Sequence, residues 1–414
     1  MTVTADPRPH VGPGYLVRTG VRRVRERRLA GVEAGHLPPA TTVRRLTEHP
    51  RVRAVTLRPS ARHELPVPPG LRRSDHRAWS WGGGDVPAEV ALDVAGAEVA
   101  GEDGWVLVDG ELVDDLWVDA WYPTRRLAGR EPGVGAGAAR TDLPGVARLP
   151  GTTVNLLTPW AWNYYHFSVQ GAPRLGLLEQ AGWLEDALAA DTWLVPDPRH
   201  AWVGQWLDRM GVPVDRRRTL RRGERVAAER LLVTSVPSAN RWVPPWVVEW
   251  MRRTVDPGTA PASTAGPGRR VFLDREPQDK RRIVNRDEVL AVLAEFDVEV
   301  LRTGRLPLRD EAAEVAAADV VVAVIGAASA NLAFCRPGTR VVEILPAALV
   351  SAATAKLCRS AGLDYALVRG REPSLPWPLR FPDSDADVVV DAELLRRRLR
   401  EATAAHPPLS RSRA

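Results

Sequence analysis

The chain has 414 residues, of which 44% are hydrophobic and 26% are charged, the composition of a soluble globular protein rather than a fibrous or disordered one. Its length predicts two to three domains. The net charge of +6 comes almost wholly from arginine, because lysine occurs only at Lys280 and Lys356. Such a basic balance suits an anionic small ligand as well as nucleic acid, and no other feature favours nucleic acid.

The two cysteines, Cys335 and Cys358, have neither metal-site nor redox-motif spacing. Acidic residues at metal-binding spacing are not found either, so we expect no metal and no cofactor. No run of about 18 apolar residues and no leader is found, which predicts a cytoplasmic protein. The arginine-rich segment 18–28 is interpreted as a solvated helix face, with contact to a membrane surface as the alternative.

Taken in order, the chain begins with a predicted loosely ordered basic lead-in, residues 1–40. Residues 41–150 form a predicted β-rich region with short apolar runs between Pro and Gly. Within it, Asp109-Gly110 predicts the turn of a hairpin between 105–108 and 111–113.

Strands and helices alternate on both sides of a Pro/Gly/Ala-rich linker, residues 255–268. This alternation predicts two doubly wound α/β domains, with ligands at the carboxyl ends of the strands. The predicted ranges are 151–254 and 269–375 for these domains, 376–404 for a C-terminal segment and helix, and 405–414 for a disordered tail.

The stretch 318–346 is the most informative. A buried strand over 320–324 leads into the small-residue loop 326–328, then into a short helix that Ser329 is expected to cap, and then into a strand over 340–345. Free backbone N–H groups in such a loop can hold a diphosphate, and the alternative is an ordinary strand–helix connection.

This stretch resembles the C-terminal signature of glycosyltransferase family 61, whose members read close to VVGPHGAALANLVFxxPGTxVVEL. The matching positions are Gly326, Ala327, Ala328, Ala330, Asn331, Leu332, Phe334, Pro337, Gly338, Val341, Val342 and Glu343. The family His falls at Ile325, which removes a titratable group from the expected site.

A second stretch, residues 163–175, is similar to the family pattern NYYHFLLDxLPRL. The resemblance implies that His166 acts as the catalytic base, whereas the residues alone favour a His that caps or orders the helix start. The family Asp falls at Gln170. The predicted acceptor or cleft residues are Asn163, Tyr165, Gln170 and Arg174.

A third stretch, residues 270–285, is similar to the family pattern VFLSRRxAxxRRIVNEDEL. Arg281 is interpreted as a solvated loop residue. For Glu343 the resemblance implies contact with the donor ribose, and the alternative is an acid facing solvent at a strand end. The predicted donor-binding residues are Arg275, Lys280, Arg282, Gly326, Ala327, Asn331 and Glu343.

Together these stretches imply a GT-B-like fold, with two Rossmann-like domains facing a cleft and a β-rich N-terminal region. They further imply a metal-independent, inverting glycosyltransferase of the bacterial capsular polysaccharide type, with a nucleotide sugar such as a UDP-sugar as the donor substrate and a glycan or other hydroxyl as acceptor. The competing hypothesis is a non-catalytic relative that binds nucleotide or glycan as a scaffold in polysaccharide assembly.

Overall fold

The computed structural model describes residues 40–79, 84–116, 146–221, 223–256, 268–275, 281–347, 349–373 and 387–404. Its strands form two large sheets and one two-stranded sheet, which pairs β3 (Ala61–Arg62) with β4 (Asp85–Val86). The predicted lead-in and tail lie outside the described residues, apart from Ala40, as does most of the predicted linker.

The first sheet has nine strands. They are β1 (Ala40–Thr41), β2 (Val52–Arg58), β5 (Glu89–Ala100), β6 (Trp105–Val108), β7 (Glu111–Val113), β8 (Ala147–Asn155), β9 (Thr192–Leu194), β10 (Arg217–Arg218) and β11 (Arg225–Thr234). Their order is β1-β7-β6-β5-β11-β8-β9-β10, and β2 also pairs with β5. The run β11-β8-β9-β10 is parallel, whereas β5 is antiparallel to β11.

The predicted hairpin is confirmed, since β6 and β7 pair antiparallel across a turn in which Asp109 and Gly110 both have positive φ. The predicted boundary at residue 150 is not a domain boundary. Strand β5 of the N-terminal region pairs with β11 over almost its full length, so the N-terminal strands and the first α/β unit form one sheet. Only four of its strands have the parallel order expected of a doubly wound domain.

The second sheet agrees closely with the prediction. Its strands are β12 (Arg270–Asp274), β13 (Val298–Arg302), β14 (Val320–Val324), β15 (Arg340–Leu345) and β16 (Asp364–Arg369). All are parallel in the order β13-β12-β14-β15-β16, which is the 2-1-3-4-5 order of one kind of doubly wound fold. The order of the strands reverses between β12 and β14, because β13 is added on one side of β12 and β14 on the other. Ligands are therefore expected at the carboxyl ends of β12 and β14.

Eleven α-helices are described. They are α1 (Val43–Leu46), α2 (His76–Trp79), α3 (Tyr164–His166), α4 (Arg174–Gln180), α5 (Leu184–Leu188), α6 (Ala201–Arg209), α7 (Pro245–Val255), α8 (Arg286–Ala294), α9 (Leu308–Ala316), α10 (Ala353–Ala361) and α11 (Ala392–Thr403). A π-helical turn (Phe167–Gly171) follows α3, and a 3₁₀ helix (Ala327–Phe334) follows β14. Gly326 precedes this 3₁₀ helix and Ser329 lies inside it, so the predicted cap by Ser329 is wrong. None of the described helices is both long and apolar enough to cross a membrane.

The two sheets share a core. One continuous cluster of buried residues includes Val154 and Trp250 from the first unit and Val321 and Phe334 from the second. Arg252 on α7 ties the units further, since its guanidinium donates to the carbonyl oxygens of Ala333, Cys335 and Ala361. The joint between the units is therefore a packed interface, and it brings α3 against the 3₁₀ helix of the second unit.

Candidate functional site

The pairing of β12 with β14, where the strand order reverses, brings Arg275 and Gly326 together. Arg275 follows β12 directly, and Gly326 follows β14 after one residue. A Cβ atom at position 326 would overlap the guanidinium of Arg275, so a larger residue would displace this side chain from its place against the loop backbone. Gly326 and Ala327 are half-exposed, so a ligand can reach the loop that the sequence predicted as a diphosphate site.

Arg281 lies at the same loop. Its Nη1 donates a 3.0 Å hydrogen bond to the carbonyl oxygen of Ile325, and its own backbone has a φ of +54°. The interpretation of Arg281 as a solvated loop residue is therefore wrong. Two guanidinium groups flank the peptide Ile325-Gly326, whereas Lys280 lies outside the described residues.

Arg282, a predicted donor-binding residue, faces a different partner. Its Nε and Nη2 both donate to Oδ2 of Asp387, and its backbone N–H donates to Oδ1 of the same carboxylate. Asp387 is almost fully buried. Arg282 therefore fastens the segment before α11 to the second unit, which corrects the predicted donor contact.

His166, the predicted base, is half-buried at the end of α3. Its Nδ1 lies 2.7 Å from Oε1 of Gln170, and Nε2 of Gln170 donates a 3.0 Å hydrogen bond to the carbonyl oxygen of Ser238. This last bond fixes the amide of Gln170 so that its oxygen faces the imidazole. The Nδ1 of His166 must then carry the proton, and its Nε2 is the basic nitrogen.

The surroundings of His166 keep the imidazole neutral. Burial lowers its pKa below the ordinary value, the hydrogen bond with Gln170 acts in the opposite direction, and the positive charge of Arg241 lowers the pKa further. The rings of Trp160 and Tyr165 lie 5.3 and 5.8 Å from the imidazole, centroid to centroid. A neutral imidazole with a fixed tautomer is suited to accept a proton.

Two predicted cleft residues have structural roles. The Oδ1 of Asn163 accepts from the backbone N–H of Tyr165 and so caps α3, the helix that carries His166. Arg174 is fully buried, and it donates to the carbonyl oxygens of Leu157 and Thr234 at the carboxyl ends of β8 and β11. Burial lowers the pKa of Arg174 to about 9. Arg174 therefore supports the sheet beneath the site, which corrects its assignment to the cleft.

Asn331, a predicted donor-binding residue, is buried and connects the two units. Its Oδ1 accepts a 2.6 Å hydrogen bond from the hydroxyl of Tyr164, and its Nδ2 donates to Oε1 of Glu311. The second oxygen of Glu311 accepts from the backbone N–H of Gly304. Because both ends of the Asn331 amide are taken up within the protein, we assign Asn331 to positioning, which corrects the predicted donor contact.

Glu343 lies within β15 and is fully buried, so it neither ends the strand nor faces solvent. Its Oε2 accepts a 2.6 Å hydrogen bond from the hydroxyl of Tyr365 on the neighbouring strand. Burial raises the pKa of Glu343 to about 7, while hydrogen bonds from Thr354 and Tyr365 and the charge of Arg281 act in the other direction. In this conformation the carboxyl group is sealed beneath the site.

An N-terminal strap, residues 61–79, lies over the carboxyl edge of the second sheet. Trp79 is buried against Ala352 and Ala355, at the beginning of α10. Asp75 forms an ion pair with Arg369 at 3.0 Å, with only 11% of each side chain exposed. His63 stacks on Trp242 of the first unit at 4.2 Å between ring centroids. The strap therefore contacts both units beside the candidate site.

The strap also explains the residue at position 325. Ile325 forms an apolar cluster with Leu345 and Leu367, and Leu71 of the strap packs against this cluster. Where the family pattern has His, this chain has an apolar contact for its N-terminal strap.

Within the described ranges, no group of three or more His, Cys, Asp or Glu side chains could hold a metal ion. The described groups of the site that bear on its chemistry are the charged guanidinium groups of Arg241, Arg275 and Arg281 and the neutral imidazole of His166. Such a set can bind a diphosphate and take a proton from a hydroxyl group.

Comparison with known proteins supports one class of protein. Residues 164–342 match the model of the family described as glycosyltransferase 61, a range that begins at α3 and ends in β15 and so holds both His166 and the Arg275–Gly326 pair. This part of the chain is similar to that family, and the similarity supports a glycosyltransferase role in glycan synthesis. No curated protein matches the chain.

Sequence reasoning did not single out Arg241, Ser238 or Tyr164. Ser238 and Arg241 lie after β11, at the start and end of a short 3₁₀ helix (Ala239–Arg241), and come beside His166 only through the fold. Tyr164 matches the first Tyr of the family pattern NYYHF, but its partner Asn331 is 167 residues away. The one available signal was the position of Tyr164 between two proposed site residues, Asn163 and Tyr165.

Proposed function

We propose that the chain transfers a sugar from a nucleoside-diphosphate sugar, UDP-linked in the simplest case, to a hydroxyl group of a glycan or other acceptor. The observation that carries this proposal is the pairing of Arg275 and Arg281 around the half-exposed loop at Gly326. Guanidinium groups match phosphate oxygens in geometry and charge, and the loop adds backbone N–H groups.

In the proposed reaction His166 is the general base. The acceptor hydroxyl gives its proton to Nε2 of His166, while its oxygen forms a bond to the anomeric carbon of the donor. The bond between that carbon and the phosphate oxygen breaks, and its electron pair leaves with the diphosphate. This direct displacement inverts the anomeric centre, and the charge on the leaving group is stabilised by arginine side chains.

Gln170 takes the place of the family Asp in this scheme. Its carbonyl oxygen fixes the tautomer of His166 in the same way, but it provides no charge to stabilise the imidazolium that forms. We therefore infer a base that works without a carboxylate partner.

A non-catalytic scaffold is the second candidate, and one observation favours it. Position 325, His in the family pattern, is an Ile buried in an apolar cluster. A scaffold of this kind binds nucleotide without turning over any donor.

The test is nucleotide release from a panel of nucleotide sugars, with and without a chelator, together with calorimetric titration by UDP. We expect turnover that survives the chelator. Arg275→Ala and Gly326→Ala should each weaken UDP binding by about tenfold or more, because a charge-assisted contact is lost or displaced. Gly204→Ala is the matched control, since no atom lies near its added Cβ.

UDP binding without turnover of any donor would favour the scaffold. An absence of nucleotide binding would overturn the diphosphate site at Arg275 and Gly326.

A further inference from the structure

Arg241 is held in a left-handed backbone conformation, with a φ of +59°. Six non-glycine residues among those described have positive φ. Three of them are aspartates, a residue type that tolerates this conformation. The other three are Trp160, Arg241 and Arg281, and all three lie at the candidate site. Residues without such tolerance are held there at a cost, and such strain concentrates where function requires a particular placement.

The short 3₁₀ helix that ends at Arg241 is fixed from both sides. The carbonyl oxygen of Ser238 accepts the hydrogen bond that orients Gln170, and the hydroxyl of Ser238 donates to the carbonyl oxygen of Val169. On the other side, Trp242 is buried beneath the stacked ring of His63. The backbone at Arg241 is therefore anchored by the π-helical turn after His166 and by the N-terminal strap.

The side chain of Arg241 crosses from the first unit to the second. Its Nη1 donates a 3.3 Å hydrogen bond to the hydroxyl oxygen of Ser351, just before α10. This partner is neutral, so the contact places the guanidinium without cancelling its charge. The same charge acts on His166. Arg241 thus lies between the proposed base and the second unit.

We propose that Arg241 binds the leaving diphosphate from the side of the first unit, opposite Arg275 and Arg281. This inference rests on the proposed transfer reaction. In that reaction the bond between the anomeric carbon and the phosphate oxygen breaks, and the departing diphosphate gains one negative charge. A cation held in place by a strained backbone stabilises that charge without having to reorganise during the reaction.

The placement also connects the donor with the base. Without donor, Arg241 repels a proton from His166 and keeps the imidazole neutral. A bound diphosphate offsets the charge of Arg241, so His166 can accept the acceptor's proton at lower cost. The groups that face His166 in this scheme are Arg241, Gln170, Trp160 and Tyr165.

The experiment compares the wild type with Arg241→Ala, Arg241→Lys and Arg241→Gly, and with Arg309→Ala as the control. Arg309 also joins the two units, because its Nε donates to the carbonyl oxygen of Asp256, but it lies outside the site. Binding is measured by calorimetry with UDP and with uridine, and turnover with the donor that the wild type accepts. The pKa of His166 is measured by NMR titration.

We expect Arg241→Ala and Arg241→Gly to bind UDP about tenfold or more weakly, because a charge-assisted contact is lost, and to bind uridine as the wild type does. Turnover should fall in Arg241→Ala and Arg241→Gly, and Arg241→Lys should retain part of it. The pKa of His166 in Arg241→Ala should rise. Arg241→Gly should unfold at a temperature no lower than the wild type, because glycine adopts this φ without strain. Arg309→Ala should leave the affinities for UDP and for uridine unchanged.

Suppose that the wild type binds UDP and turns over a donor, and that Arg241→Ala does both equally well. This result would overturn the role of Arg241 and leave the proposed function standing. A wild type that binds neither UDP nor uridine would overturn the proposed function itself. An equal loss of UDP and uridine affinity in Arg241→Ala would show that Arg241 is structural, which also contradicts the inference.

Discussion

The hydroxyl of Tyr164 in the first unit donates a 2.6 Å hydrogen bond to Oδ1 of Asn331 in the second. Tyr164 begins the short helix that ends in His166, and Asn331 lies in the helix that follows the Gly326 loop. This bond therefore fixes the proposed base relative to the proposed diphosphate site. A hinge at this joint would have to break it along with the shared apolar core.

Tyr164→Phe should lower the free energy of unfolding by about 1–3 kcal/mol, because the buried Oδ1 of Asn331 loses its donor. Denaturant unfolding measures the change. The double variant with Asn331→Ala should lose clearly less than the sum of the two single variants, since the two residues share one interaction. Full additivity would show that the bond does not couple the units.

Gln170→Glu should raise the pKa of His166, because a carboxylate favours the imidazolium that the amide does not. The acidic limb of kcat/KM should then move to higher pH, since the base must be unprotonated to act. The pH–rate profile measures this, with Gln180→Glu as a matched control outside the site, where Gln180 contacts Arg58. A limb that stays in place would show that His166 is not the group that titrates.

The free energy of unfolding of Glu343→Gln minus that of the wild type should increase from acid to neutral pH. The folded-state pKa of Glu343 is raised from 4.5 to about 7, so the unfolded chain releases this proton at lower pH than the folded protein does. The wild type therefore loses stability as the pH rises from about 4.5 to about 7, by an amount of the order of 3 kcal/mol.

Denaturant unfolding at several pH values gives the difference between wild type and Glu343→Gln, which isolates this group from the opposite trend expected for His166. A difference that is constant across this range would contradict a protonated, buried Glu343.

Ile325→His restores the family residue and tests what position 325 does here. We expect a loss of about 1–3 kcal/mol in the free energy of unfolding, because a polar ring enters an apolar cluster, and no gain in turnover. Ile325→Val is the volume control, and thermal unfolding and nucleotide release are measured for both. Higher turnover with unchanged stability would show instead that a catalytic group has been replaced.

Local sequence predicted the second sheet well. The runs at 320–324 and 340–345 are apolar enough to be read as buried parallel strands, and small residues marked the loop between β14 and the 3₁₀ helix. The pairing of β5 with β11 was not visible, since it joins segments more than 120 residues apart and depends on the whole fold.

The candidate site was likewise predictable only in part. Motif matches gave His166, Arg275 and Gly326, whose positions follow from strand ends and helix starts. They failed for Arg174, Arg282 and Asn331, because a pattern does not reveal whether a polar side chain points into a cleft or into the core. Arg241 belongs to no motif, and only its placement by the fold and its positive φ identify it.

The most direct test of the account is the rate of nucleotide release by His166→Ala compared with the wild type, measured at equal saturation with UDP-sugar donor. We predict a loss of about a hundredfold or more with UDP affinity unchanged, as for removal of a general base. A variant that releases nucleotide as fast as the wild type would contradict His166 as the base and the reaction built on it.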